Sequence, residues 1–181
     1  YDANALYLWA MMQDMPTGAY ERPIFNKSVN HYLNHIQDGS LFGFVECDIH
    51  VPDHLKDYFS EMSPIFKNTV ITYADLTEEM KQKTTSSYKS TCLIGSMWGK
   101  KILLYTPLLK WYIEHGLVVT EIHQIIKFTP EKCFETFGND VINARRLGDV
   151  DPTKAIIAET MKLLGNSSYG KTVTNKEKHT T

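Results

Sequence analysis

The chain has 181 residues, 43% of them apolar and 22% charged, with a formal net charge of −2; this suits one globular domain, alone or with a small appendage, and excludes a global electrostatic pull toward nucleic acid. No run approaches the length of a membrane span and no signal peptide is visible, so no membrane partner is expected. Cys47, Cys92 and Cys133 are scattered and odd in number, which offers no disulfide framework and suits a reducing, intracellular compartment.

The first apolar stretch, ALYLWAMMQDMP, predicts a helix ending before Pro16. Residues 17–40 are polar, with turn signals at Thr17-Gly18 and Asp38-Gly39 and a short helix at HYLNHI. GFVECDIHV alternates with period two. Gly43, Val45, Cys47, Ile49 and Val51 share one face, and Phe44, Glu46, Asp48 and His50 the other, so a half-buried strand ending at Pro52 is predicted. Residues 53–92 are mixed, with Tyr73–Lys83 helical and KTTSSYKST a loop or hairpin. Three helix starts then share one recipe, a capping side chain followed by proline. They are Thr106-Pro107 closed by Gly116, Thr129-Pro130 closed by Gly148, and Asp151-Pro152 closed by Gly170. LVVTEIHQIIKF is long and β-branched, hence a strand, and the last two helices form a hairpin. The predicted class is α+β.

GNSSYGKT, Gly165–Thr172, matches the phosphate-binding pattern G-x-x-x-x-G-K-[ST]. A true P-loop follows a strand and opens a helix. Here DPTKAIIAETMKLL precedes it with helical spacing, and the nine residues VTNKEKHTT follow. A P-loop nucleotide-binding protein is therefore the lesser alternative. On a helix turning about 100° per residue, Lys162, Asn166 and Tyr169 fall within about 60° of one another. Such a face sets a point charge for phosphate beside an aromatic platform; the competing reading is a solvated helix face. From Val141 to Thr181, seven Lys/Arg stand against four Asp/Glu, a local tilt that agrees with an anionic partner.

Lys162-x-x-x-Asn166-Ser167-x-Tyr169-Gly170 resembles the K-x-x-x-N-S-x-Y-G motif in the fingers of family B DNA polymerases. Asp2-Ala3-Asn4-Ala5-Leu6-Tyr7 resembles the same family's palm motif D-x-x-S-L-Y. The two occur in the family's order. Their long separation resembles the protein-primed branch found in linear plasmids, viruses and self-synthesising DNA transposons, which carries an insertion between them. The segment YTPLLKWYIEHGLVVTEIHQIIKF resembles that branch's approach to the fingers, while Tyr20–Ser90 carries the resemblance weakly.

The resemblance implies a partial polymerase palm with an insertion and a helical-hairpin fingers element. Residues 1–16 would start the palm. Residues 17–100 would be an insertion-like region with palm strands, and 101–128 a palm helix–strand segment. Residues 129–170 would be the fingers hairpin, and 171–181 the return toward the palm. Asp2 would be a catalytic carboxylate and, with the Ala3 carbonyl, a ligand for two Mg²⁺ ions. Tyr7 would lie under the incoming sugar and exclude a 2′-hydroxyl. Lys162 would contact the triphosphate, Asn166 and Tyr169 would shape the nascent base-pair pocket, and Arg145 and Arg146 would grip tail phosphates. Gly170 and Lys171 would touch DNA. Implied partners are DNA template and primer end, deoxynucleoside triphosphates and a terminal priming protein. Two-metal nucleotidyl transfer, hard oxygen ligands for Mg²⁺ and cations that offset pyrophosphate charge agree with this set.

Ala5 stands where the palm motif usually has Ser, and Leu8 where Pro usually follows Tyr; neither supplies a metal ligand. A second carboxylate motif, Y-x-D-T-D, belongs after the fingers and is not within these residues. Asp149-Val150-Asp151 is the sole D-x-D, and Asp151 there reads as a helix cap. The chain starts without Met and reads as a fragment, expected to be inactive alone. A degenerate, non-catalytic mobile-element remnant is the rival reading. His31/His35 and His50/His54 have helical zinc spacing but lack partner ligands, and Pro52 interrupts the second pair. Aromatic residues in KWYIEH read as helix packing, and TNKEKHTT as a frayed end or turn.

Overall fold

The computed structural model describes residues 6–24, 26–175 and 177. Two compact units divide the chain: Tyr20–Lys127, and Tyr1–Ala19 together with Phe128–Thr181.

The first of these is built around β2 (Gly43–His50). It lies between β5 (Trp98–Tyr105) and β6 (Val118–Glu131) and pairs antiparallel with both. The predicted alternation holds at every residue of β2. Gly43, Val45, Cys47 and Ile49 are buried, and their neighbours are half-buried. Helix α2 (Val29–Gln37) is capped by Ser28, whose Oγ accepts from His31 N, and buries Tyr32 and Ile36, four residues apart on one face. Helix α4 (Thr106–Glu114) buries Leu109 and Tyr112. The Tyr112 hydroxyl donates to the Pro64 carbonyl at 2.6 Å, and burial pushes its pKa upward. These side chains form one core with Val45, Cys47, Ile49, Leu104, Leu117, Val119 and Ile125.

Gly43 opens β2 in a conformation that requires glycine. Its φ is +145°, and an added Cβ would meet the Ile126 carbonyl oxygen at 2.1 Å. Its N–H donates to the buried Thr106 hydroxyl at 3.0 Å. That bond corrects the predicted role of Thr106, which was to cap α4: the helix starts from Tyr105 with no side-chain cap. Gly116 closes α4 as expected, at φ +85°.

A two-stranded ribbon pairs β3 (Ile65–Thr72) with β4 (Lys89–Ser96). The helix expected over Tyr73–Lys83 is broken in two, a 3₁₀ turn at Tyr73–Asp75 and the single-turn α3 (Glu78–Lys81). Thr72 and Asp75 close a capping box on the first piece, and Thr77 caps the second, so a new start interrupts the run. β3 gives little sequence signal because Phe66, Asn68, Val70 and Thr72 line an exposed face of mixed polarity.

In the other unit, which holds the first five residues of β1 (Met15–Glu21), that strand runs through the expected Thr17-Gly18 turn. The Thr17 hydroxyl donates to the Thr129 carbonyl at 3.0 Å. Thr129 and Pro130 accordingly end β6 and start no helix; proline is tolerated at a strand end because no ladder donor is needed there. Helix α5 runs Glu135–Val150 and α6 runs Ala155–Thr172. Between them Asp151 caps a 3₁₀ turn, Pro152–Lys154, as predicted. Its Oδ1 accepts from the Thr153 N–H and hydroxyl at 3.0 and 2.7 Å, and those bonds hold its carboxyl below the usual range. Gly148 and Gly170 do not end helices. Gly148 sits inside α5, where an added Cβ would lie 2.3 Å from the Ala158 Cβ, so its smallness lets the two arms of the hairpin close up. The mixture of helices with antiparallel sheets is the expected α+β class. Among the described residues, no helix is long and apolar enough to cross a membrane.

Candidate functional site

Helix α1 (Leu6–Met11) packs on α5 and α6 within the same unit. Leu8 and Met11 are its buried residues. Leu8 lies against the buried Gly165 of α6, where an added Cβ would sit 3.7 Å from Leu8 Cδ2 and 3.5 Å from Val141 Cγ1. One helical turn beyond Gly165 comes Tyr169, on the same face. Next to Leu8 comes Tyr7. The two rings stack, with centroids 4.3 Å apart and planes at 16°. Residues far apart in sequence, from the two motifs singled out above, thus meet directly. Both remain partly open, Tyr7 at 51% and Tyr169 at 37%.

Helix α6 is continuous through Gly165 and Gly170, so Gly170 is not the helix stop that was expected. The same continuity removes the P-loop. Its glycines lie inside a helix, whose backbone N–H groups already donate to carbonyls four residues back. The hydroxyls of Ser167 and Ser168 turn back to the Leu164 carbonyl at 3.2 and 2.7 Å, and that of Thr172 to Tyr169 at 2.7 Å. Lys162, Asn166 and Tyr169 therefore do share a helical face, and all three are exposed. Lys162 makes no ion pair among the described residues. Arg145 and Arg146 lie in the last two turns of α5, half-buried and exposed respectively. Gly170 and Lys171 are exposed in the last turn of α6. Asp2 and Ala3 lie outside the described residues.

A family model described as DNA polymerase type B, organellar and viral, matches residues 1–181. The chain belongs to this family of DNA polymerases. No curated protein and no solved structure gives a match. Membership in the type B polymerases supplies the enzyme class, DNA-directed DNA synthesis, with DNA and deoxynucleoside triphosphates as partners and Mg²⁺ as the general metal of the class. The packing of α1 against α6 puts two motif tyrosines of this polymerase chain in one place.

A second constellation, in the unit Tyr20–Lys127, escaped the sequence reading. Asp48 of β2 pairs across the sheet with Glu121 of β6, and His123 follows two residues on. His123 Nε2 and Asp48 Oδ1 are 2.7 Å apart, and His123 Nδ1 and Glu121 Oε1 3.9 Å apart. The Lys101 N–H donates to the same Asp48 Oδ1 at 2.8 Å from a backbone held at φ +48°. Those two hydrogen bonds, Lys101 first and His123 second, hold the Asp48 carboxyl below its usual range. The outward alternation of β2 did mark Asp48. Finding its partners required the β2–β6 register, which is shifted by irregularities on both sides of Asp48.

Nearby chemistry is otherwise quiet. Burial pushes the Cys47 thiol up to about 12, so it is inert in the core. His31 and His35 pack edge to face on α2, and His35 Nδ1 is engaged by the Ser40 hydroxyl at 2.6 Å. In KWYIEH, Tyr112 is buried while Trp111 stacks on His115 at 3.9 Å.

Proposed function

We propose that this chain is the palm-to-fingers segment of a protein-primed type B DNA polymerase, with Tyr7 and Tyr169 facing the incoming nucleotide. One observation carries the reading: the Tyr7–Tyr169 stack, which unites the two motif tyrosines to which the resemblance gives neighbouring roles at sugar and base. Lys162 and Asn166 extend that face along α6, Lys162 toward the triphosphate and Asn166 beside the base pair. Arg145 and Arg146 add cations for tail phosphates on α5, and Gly170 and Lys171 lie toward DNA at the end of α6. A lysine suits the phosphate role as a mobile point charge. An aromatic platform suits the base because it stacks without reading sequence.

Asp2 and the carbonyl of Ala3 would hold Mg²⁺. A carboxylate and a carbonyl are the hard oxygen donors that this ion prefers, so the donor set fits. When bound, the two ions supply charge stabilisation for nucleotidyl transfer. The chain's own contribution is then to orient: Tyr7 excludes the 2′-hydroxyl, and Lys162 and the arginine pair hold the phosphates. A terminal protein would supply the priming hydroxyl.

The test uses the full-length polymerase in primer extension. Tyr7→Ala is expected to raise ribonucleotide incorporation with deoxynucleotide use largely kept, and Lys162→Ala to raise the deoxynucleotide KM. Unchanged sugar discrimination in Tyr7→Ala would overturn the steric role. Failure of the full-length protein to extend any primer would favour a degenerate, non-catalytic copy. Residues 1–181 alone are expected to extend nothing, since Asp2 is the one palm carboxylate that the resemblance places there.

A further inference from the structure

We propose that Asp48, Glu121 and His123 form a binding site for one divalent transition-metal ion of the Zn²⁺ type. The placement follows from sheet geometry. Side chains two apart on a strand share a face, and antiparallel pairing sets a third opposite them. Glu121 and His123 are the pair, and Asp48 is the residue across from Glu121. One imidazole nitrogen and one oxygen from each carboxylate lie within 4.8 Å of one another. Bonds from zinc to nitrogen and oxygen of about 2.0–2.2 Å bring ligand atoms to roughly 3–3.5 Å apart. His123 and Asp48 already approach more closely than that, at 2.7 Å, so an ion between them would open this contact slightly. The larger movement falls on Glu121, which approaches the other ring nitrogen, Nδ1, at 3.9 Å and has to bring its 66% exposed side chain round to the Nε2 side.

Three features separate this group from acids scattered on a surface. The imidazole gives a nitrogen donor, which selects zinc-class ions over Mg²⁺ and Ca²⁺. His123 and Asp48 are largely enclosed, at 17% and 19% exposure, which limits competition from water. The Lys101 N–H also fixes the orientation of the Asp48 carboxylate by donating to Oδ1, the oxygen that faces His123, the kind of hydrogen bond that ligating carboxylates characteristically receive. A cavity of about 170 Å³ adjoins the group on the Asp48 side, lined also by His50, Trp98, Lys100 and Thr120. Without metal, the imidazole proton bridges to Asp48; with metal, the ion replaces that proton and clips β6 to β2.

The probe is Co²⁺ or Zn²⁺ alone, titrated into the purified chain by calorimetry and by cobalt absorption. One equivalent is expected to bind and to raise the Tm. His123→Ala is expected to abolish that equivalent, Asp48→Asn to weaken it about tenfold or more, and Glu121→Gln to weaken it less. The double variant His31→Ala/His35→Ala is expected to bind as the parent does. Should His123→Ala misfold, His123→Gln keeps a polar side chain there and is checked by circular dichroism first. No saturable binding, an equivalent that survives loss of His123, or one that follows His31 and His35 would each overturn the site. None of these outcomes depends on DNA synthesis, so failure here is separate from failure of the polymerase reading.

Discussion

The two units use similar apolar residues in opposite ways. In Tyr20–Lys127, strand β2 hides every second side chain, and α2 and α4 each turn one stripe into a shared core. In the other unit, α6 buries only Gly165 among its residues, while Ile156, Ile157, Leu163 and Leu164 remain exposed. On a helix turning about 100° per residue these four project within about 120° of one another, on the side away from Gly165. One unit is organised to make a core, and the other to display a helical face over a thin packing layer of Leu8, Met11, Val141 and glycine contacts. The buried core and the exposed face of α6 thus lie in different stretches of the chain, and substitutions in one unit are expected to leave the other folded.

The largest expected effect strikes the core unit. Gly43→Ala would force an alanine into φ +145° and against the Ile126 carbonyl; strain of this kind costs about 1–3 kcal/mol before the backbone clash is added. Urea denaturation should show a loss of at least about 3 kcal/mol, or no cooperative folding at all. Next come two glycines of the helical unit, with opposite signs. Gly148→Ala would clash with Ala158, and overpacking of about 1–3 kcal/mol outweighs the helix propensity it gains. Gly165→Ala would meet its neighbours only at 3.5 Å or more, so it should stabilise by up to about 1 kcal/mol. Hydrogen exchange should speed up in α5 and α6 of the first variant while β2 and β6 stay protected. Acceleration throughout would show that the two units do not fold with separate stabilities.

A smaller effect is expected at the tyrosines. A double-mutant cycle on Tyr7→Ala and Tyr169→Ala should return a coupling of about 0.5–1.5 kcal/mol, and a value of zero would remove the stack. The smallest is a pH effect at Asp48. Its folded pKa is depressed, so its contribution is fully present above the unfolded value near 3.9 and is lost as pH falls below it toward the folded value. Asp48→Asn should flatten the acid limb of a stability-against-pH curve. An unchanged acid limb would show that its two hydrogen bonds do not favour the ionised form.

Several elements were legible in the sequence because local rules and tertiary surroundings agree there. The alternation in GFVECDIHV holds, as do the cap at Asp151, the helical hairpin and the shared face of Lys162, Asn166 and Tyr169. Where the reading failed, a local signal was serving a distant contact. Thr106 looks like a cap, yet its hydroxyl receives the Gly43 N–H. Thr129-Pro130 looks like a helix start, yet Thr129 is tied to Thr17. Gly148 looks like a stop, yet it is a point of close packing between helices.

By itself, then, the sequence determined the period of β2, α4 and α6 and the placement of motif residues along α6. Periodicity depends only on backbone geometry and the order of side chains, so it needs no partner. Only the tertiary structure decided which elements meet: the stacking of Tyr7 on Tyr169 and the convergence of Asp48, Glu121 and His123. Those depend on helix packing and on a bulged strand register. Both are set by many weak contacts summed over residues distant in sequence, and no short stretch of letters carries them.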